Sequence, residues 1–115
     1  MKLLTNEQEE KLLANGRANA GREHTTDFEP VVKLFCPWNL AIWLLTELDP
    51  ENPDIAFGLC DLGMGFPELG TVSLSEMASV EGPVGLRIER DLHFTAGKTL
   101  SAYAREAHAL KRTTA

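Results

Sequence analysis

At 115 residues, 43% hydrophobic and 24% charged, the chain suffices for one packed core and falls short of two. Seventeen Asp and Glu against eleven Lys and Arg leave a net charge of −6, which excludes a general basic surface for direct nucleic-acid binding. The apolar content is too high for a disordered chain, and the most apolar run, Trp38 to Leu48, is too short to span a bilayer.

The opening Met1-Lys2-Leu3-Leu4-Thr5-Asn6-Glu7 turns polar too early for a signal-peptide core, so a soluble cytoplasmic protein with no membrane partner is expected. Thr5 followed by Gln8 fits a capping box and opens a helix carrying Leu12 and Leu13, which Gly16 or Gly21 can end. Arg22 to Pro30 is polar and aperiodic and reads as a loop. Pro30 to Cys36 has the β-branched and aromatic content of a short strand. Pro37 suits the first turn of a helix, and from Trp38 to Leu48 apolar side chains cover nearly the whole circumference. That pattern predicts a deeply buried second helix.

Asp49-Pro50-Glu51-Asn52-Pro53-Asp54 is an exposed turn. Ile55 to Leu62 reads as a central strand with Ile55, Phe57 and Leu59 on one face and Ala56, Gly58 and Cys60 on the other. The loop Gly63 to Glu68 joins it as a hairpin to a strand over Gly70 to Leu74. A helical turn over Ser75 to Val80 follows, with Ser73 or Ser75 as its cap. Val84 to Phe94 alternates as one long strand that places Arg90 on its apolar face. Thr99 can cap a last helix through Leu100, Tyr103, Ala104, Ala107 and Leu110. The order α-β-α-β-β-(α)-β-α predicts one α+β domain over 1–115. It consists of a mostly antiparallel sheet of about four strands with three main helices packed on it.

Charge is distributed unevenly. Residues 1–29 sum to −2, residues 30–81 to −7 with Lys33 as their single base, and residues 82–115 to +3. An acidic middle and a basic C-terminal third can complement each other internally or present two opposed faces.

Motifs for catalysis are weak. Gly97-Lys98-Thr99 lacks the upstream glycine of a P-loop, where Leu92 stands. Cys36 and Cys60 lie far apart, and His24, His93 and His108 are scattered, so no metal and no cofactor is indicated. Cys60-Asp61 with His93 can be drawn as a nucleophile, an orienting acid and a base. Nothing local lowers the thiol pKa, however, and a core thiol is the simpler reading. Arg90 must find carboxylates, and Asp61, Glu68 and Glu47 are the candidates. Such a pair would pin the Gly63 to Glu68 loop; alternatively Arg90, Asp61, Glu68 and His93 line a polar pocket of a small hydrolase-like enzyme. Trp38 and Trp43, five apart on the expected helix, cannot share one narrow face.

Trp43-Leu44-Leu45-Thr46-Glu47-Leu48-Asp49-Pro50, Phe57-Gly58-Leu59-Cys60-Asp61-Leu62-Gly63, Pro67-Glu68-Leu69-Gly70 and Glu89-Arg90-Asp91-Leu92-His93-Phe94 resemble the bacterial family known as domain of unknown function 2958. The likeness extends to Lys33-Leu34-Phe35 and Leu3-Leu4-Thr5, with Thr71 standing where the family often has an aromatic residue. The resemblance implies an intracellular bacterial protein, frequently carried on plasmids and integrated mobile elements, with no accepted catalytic residues to carry over. The expected activity is therefore protein binding by an accessory module rather than catalysis. Its expected contact surface is Glu47, Asp49, Glu51, Asp54, Asp61 and Glu68, facing a basic protein partner. Self-association through the sheet edge is the second use of the same area.

Overall fold

The computed structural model describes residues 3–21 and 25–115. Helix α1 (Asn6–Ala18) begins at the expected capping box: the Gln8 amide donates to Thr5 Oγ1 at 3.1 Å and the Thr5 amide to Gln8 Oε1 at 2.9 Å. The helix runs through Gly16 and ends before Gly21, whose φ of +72° suits glycine. From Thr25 to Pro30 the chain forms neither helix nor strand, as expected; residues 22–24, including His24, lie outside the described residues.

Five strands follow: β1 (Val32–Phe35), β2 (Ile42–Asp49), β3 (Asn52–Asp61), β4 (Glu68–Ser73) and β5 (Glu89–Arg90). They form one antiparallel sheet in the order β4-β3-β2-β1-β5. Helix α2 (Leu74–Ser79) follows β4, capped by Ser73, and α3 (Leu100–Leu110) closes the fold. Among the described residues the architecture is α+β with a single antiparallel sheet and three α-helices, and the sheet has five strands rather than about four.

The principal correction concerns residues 38–48. Instead of a buried helix they form a turn and β2, the middle strand of the sheet. Pro37 opens a turn closed by Cys36 and Asn39: the Asn39 amide donates to Cys36 O at 3.5 Å, and Asn39 Oδ1 accepts from the Ala41 amide at 2.8 Å. A strand covered on both faces has no polar side, so it mimics an all-apolar helix in sequence. The register shift between Leu45 and Glu47 completes the disguise. This bulge at Thr46 lets Leu45 and Leu48, three apart, join the same core.

Two cores flank the sheet. Leu34, Trp43, Leu45 and Leu48 pack with Leu12 of α1 and Met77 of α2 on one face. Leu44 and Leu59 pack with Leu100, Tyr103, Ala104 and Ala107 of α3 on the other. Each fully buried leucine contributes about 1.5–3 kcal/mol of transfer free energy. Helix α1 approaches β2 unusually closely: a Cβ on Gly16 would stand 1.8 Å from the Leu48 carbonyl oxygen.

The expected long strand over Val84 to Phe94 shrinks to Glu89–Arg90. Pro83–Gly85 is a 3₁₀ turn with Val84 at φ 50°, and Asp91 Oδ1 accepts from the His93 amide at 2.9 Å to turn the chain away. Thr99 stands at the N-cap of α3 without making the side-chain bond. Asp27 makes it instead: Oδ1 accepts from the Ser101 amide at 3.0 Å, and Oδ2 from the Ser101 hydroxyl.

Candidate functional site

The six carboxylates expected on one outward surface divide into three situations. Glu47, placed by the β2 bulge beside the end of α1, is 4% exposed and accepts from Asn19 Nδ2 at 2.8 Å. Asn19 also brackets Thr26, accepting its amide at 2.9 Å and donating to its carbonyl at 3.1 Å; Asn15 donates to Thr46 O at 2.9 Å. Glu47 therefore belongs to a buried polar clamp between α1 and the sheet. Asp61, 2% exposed at the end of β3, accepts from the Gly63 amide at 2.8 Å and the Thr113 amide at 2.7 Å. Both side chains look inward, against the expectation that they look out.

Asp54 is half-buried and accepts from the hydroxyls of Ser73 and Ser75 and from the Ser75 amide. The Ser73 and Ser75 donors hold its carboxyl below the usual carboxylate range. Asp49, Glu51 and Glu68 are exposed. Asp49 and Glu51 sit at the β2–β3 turn, whereas Glu68 pairs with Cys60, eight residues along β3 from Asn52. At strand rise those positions are about 27 Å apart. They do not form one patch.

Nor does the polar group around Arg90 assemble. Arg90 stands opposite Leu34, which aligns across the sheet with Trp43, Cys60 and Glu68. Arg90 and Glu68 thus occupy opposite sheet edges, four strand spacings or about 19 Å apart. Asp61 aligns with Ile42 on the α3 face, opposite the face of Leu34 and Trp43. His93 is exposed in the turn after β5. The register therefore corrects both the pinning of the Gly63 to Glu68 loop by Arg90 and the convergent pocket. The loop is held instead by His108 of α3, whose Nε2 lies 2.7 Å from Pro67 O.

Adjacent strand residues point to opposite faces, so Cys60 and Asp61 cannot act on one substrate atom. Burial first, and then the negative charge of Glu68, push the Cys60 thiol up to about 11. Burial likewise raises Cys36. Both are free core thiols, and among the described residues no group of three or more His, Cys, Asp or Glu is arranged to hold a metal.

Sequence reasoning passed over two features. One is the Asp27 cap on α3, invisible because its partner lies 74 residues away. The other is a cleft of about 720 Å³ between α2 and the β1–β2 turn, lined by Trp38, Trp43, Met77, Val80 and Ile88, with Leu62 also on its wall. Leu40, between β1 and β2, and Met64 and Phe66, between β3 and β4, are 76%, 73% and 78% exposed. The glycines interleaved with Met64 and Phe66 were the available signal, since large apolar residues in a Gly-rich loop have no local core to enter.

An antiparallel α+β sandwich of helix, sheet and helix layers, with its candidate catalytic residues dispersed and a mostly apolar cleft beside α2, is the class this fold defines. The chain belongs to the family described as Protein of unknown function (DUF2958), which matches residues 3–113. Neither a curated protein nor a solved structure matches the chain. No helix among the described residues is long and apolar enough to cross a membrane.

Proposed function

We propose that this chain is an interaction module, a bacterial cytoplasmic accessory protein that binds a basic partner protein through its carboxylate-rich half. The observation that carries this reading is the charge of the β2–β4 and α2 portion: between Lys33 and Arg87 the chain has eight Asp and Glu and no Lys or Arg. Glu47 and Asp61 are buried, and the other six are exposed or half-buried. A field of one sign accelerates encounter with a positive partner and disfavours anionic ones. The mobile-element setting implied by the family resemblance suits an accessory role of this kind. The dispersal of Asp61, Glu68, Arg90 and His93 weighs against the hydrolase alternative.

The test is affinity capture from the native host at about 50 and about 500 mM salt, followed by titration of the purified captured protein. The wild type should bind a basic protein at low salt. Raised salt, or the variant Asp49→Lys/Glu51→Lys/Glu68→Lys/Glu76→Lys, should weaken that binding by about tenfold or more. Affinity indifferent to both would overturn the electrostatic reading. Self-pairing is favoured by one further observation, that β4 is an edge strand whose only charge is Glu68. Light scattering that reports a dimer would support this second use.

A further inference from the structure

We propose that the cleft between α2 and the β1–β2 turn is the docking groove for a basic amphipathic helix of that partner. The proposal rests on the interaction reading above and assigns it a site. The lining is mostly aromatic and aliphatic, with Asn39, Thr71, Ser73 and Glu76 among it, and Trp38 packs on the backbone of Gly82, where a Cβ would come within 2.5 Å of the indole. Beyond the lining, the same sheet face runs out to the β4 edge at Gly70, where a Cβ would meet nothing within 4 Å. Leu62 and Val80 on its wall are 59% and 40% exposed, so the concavity is open to solvent, as a groove that receives one apolar helix face must be.

Charge complementarity selects the occupant. Glu76 lines the groove, Glu81 follows α2, and on the same sheet face Glu68 and Arg90 each stand two strands from Trp43, on opposite sides. Arg87, the nearest base in sequence, is 3.7 Å from Glu81. A helix with an apolar stripe flanked by Lys or Arg matches the lining and the α2–β4 side of the rim, where Glu76 and Glu68 stand. A second copy of this chain fits less well. Its helix α3, with one base and one acid, already buries Leu100, Tyr103, Ala104 and Ala107 against its own sheet, and two grooves face to face would oppose like charges.

Trp38 and Trp43 are the only tryptophans in the chain, so their emission reports occupancy directly. The probes are two synthetic amphipathic peptides of about 18 residues, one Leu/Lys and one Leu/Glu in the same helical pattern. The Leu/Lys peptide should shift tryptophan emission saturably, and the Leu/Glu peptide should bind about tenfold or more weakly. Leu62 and Val80 are 59% and 40% exposed, so Leu62→Asp/Val80→Asp should fold normally, as circular dichroism would verify. This variant adds negative charge, yet should lose the Leu/Lys peptide by about tenfold or more if the groove is the site. Retained binding in this variant, with loss in Glu68→Lys/Glu76→Lys, would overturn the groove and leave the acidic reading standing. No saturable shift in the wild type, or a dimer dispersed by Leu62→Asp/Val80→Asp, would overturn the proposed occupant.

Discussion

Gly16, near the end of α1, separates two physical rules that pull in opposite directions. Helix propensity alone makes Gly16→Ala stabilising by about 1 kcal/mol. The Leu48 carbonyl oxygen, 1.8 Å from the position of the new Cβ, belongs to backbone and cannot yield cheaply. Gly16→Ala should therefore lower the urea unfolding free energy by about 2–3 kcal/mol, as overpacking does. The cysteines give a second check at this scale. With its pKa pushed up to about 11, Cys60 is only ~0.1% thiolate at pH 8. Reaction of the native protein with a disulfide reagent should be slow for both thiols and become fast in urea. Fast labelling of Cys60 in the folded state would contradict its burial.

Among the elements, α3 depends on a residue far from it in sequence. Asp27→Ala should destabilise by about 1 kcal/mol, whereas Thr99→Ala should stay within about 0.5 kcal/mol. Partial burial raises the Asp27 carboxyl, but the Ser101 donors outweigh that and hold it below its ordinary 3.8. A carboxyl lowered on folding contributes stability that is complete above the unfolded value and lost as pH falls through the folded one. The wild-type advantage over Asp27→Ala should thus be full above about pH 4 and shrink below it, measured as the difference in melting temperature. Capping boxes are local and legible, as Thr5 and Gln8 demonstrate. A cap supplied across 74 residues has no signature in the helix it serves. Strand β5 carries the same lesson: alternation from Val84 to Phe94 is real, but the Asp91 turn and the positive φ of Val84 leave two residues paired.

At the scale of the whole molecule, β2 joins both cores. Leu44 faces α3 and Leu45 faces α1, and neither retains any exposure. Leu44→Ala and Leu45→Ala should each cost about 3–4 kcal/mol. Both layers should still unfold together, with near- and far-UV circular dichroism transitions coinciding in each variant. Separate transitions would show that the sheet does not couple its two faces.

The sequence by itself determined the first helix and its cap, the β3–β4 hairpin, a serine cap of α2 at Ser73 or Ser75, the family likeness and the uneven charge, because each is written within a few neighbouring residues or in plain counts. The tertiary structure alone decided that residues 42–49 are a strand, because an element buried on both sides loses the periodicity that distinguishes strand from helix. It also turned Glu47 and Asp61 inward and set Arg90 a sheet's width from Glu68. Strand register and bulges, which no local pattern encodes, fix which side chains meet.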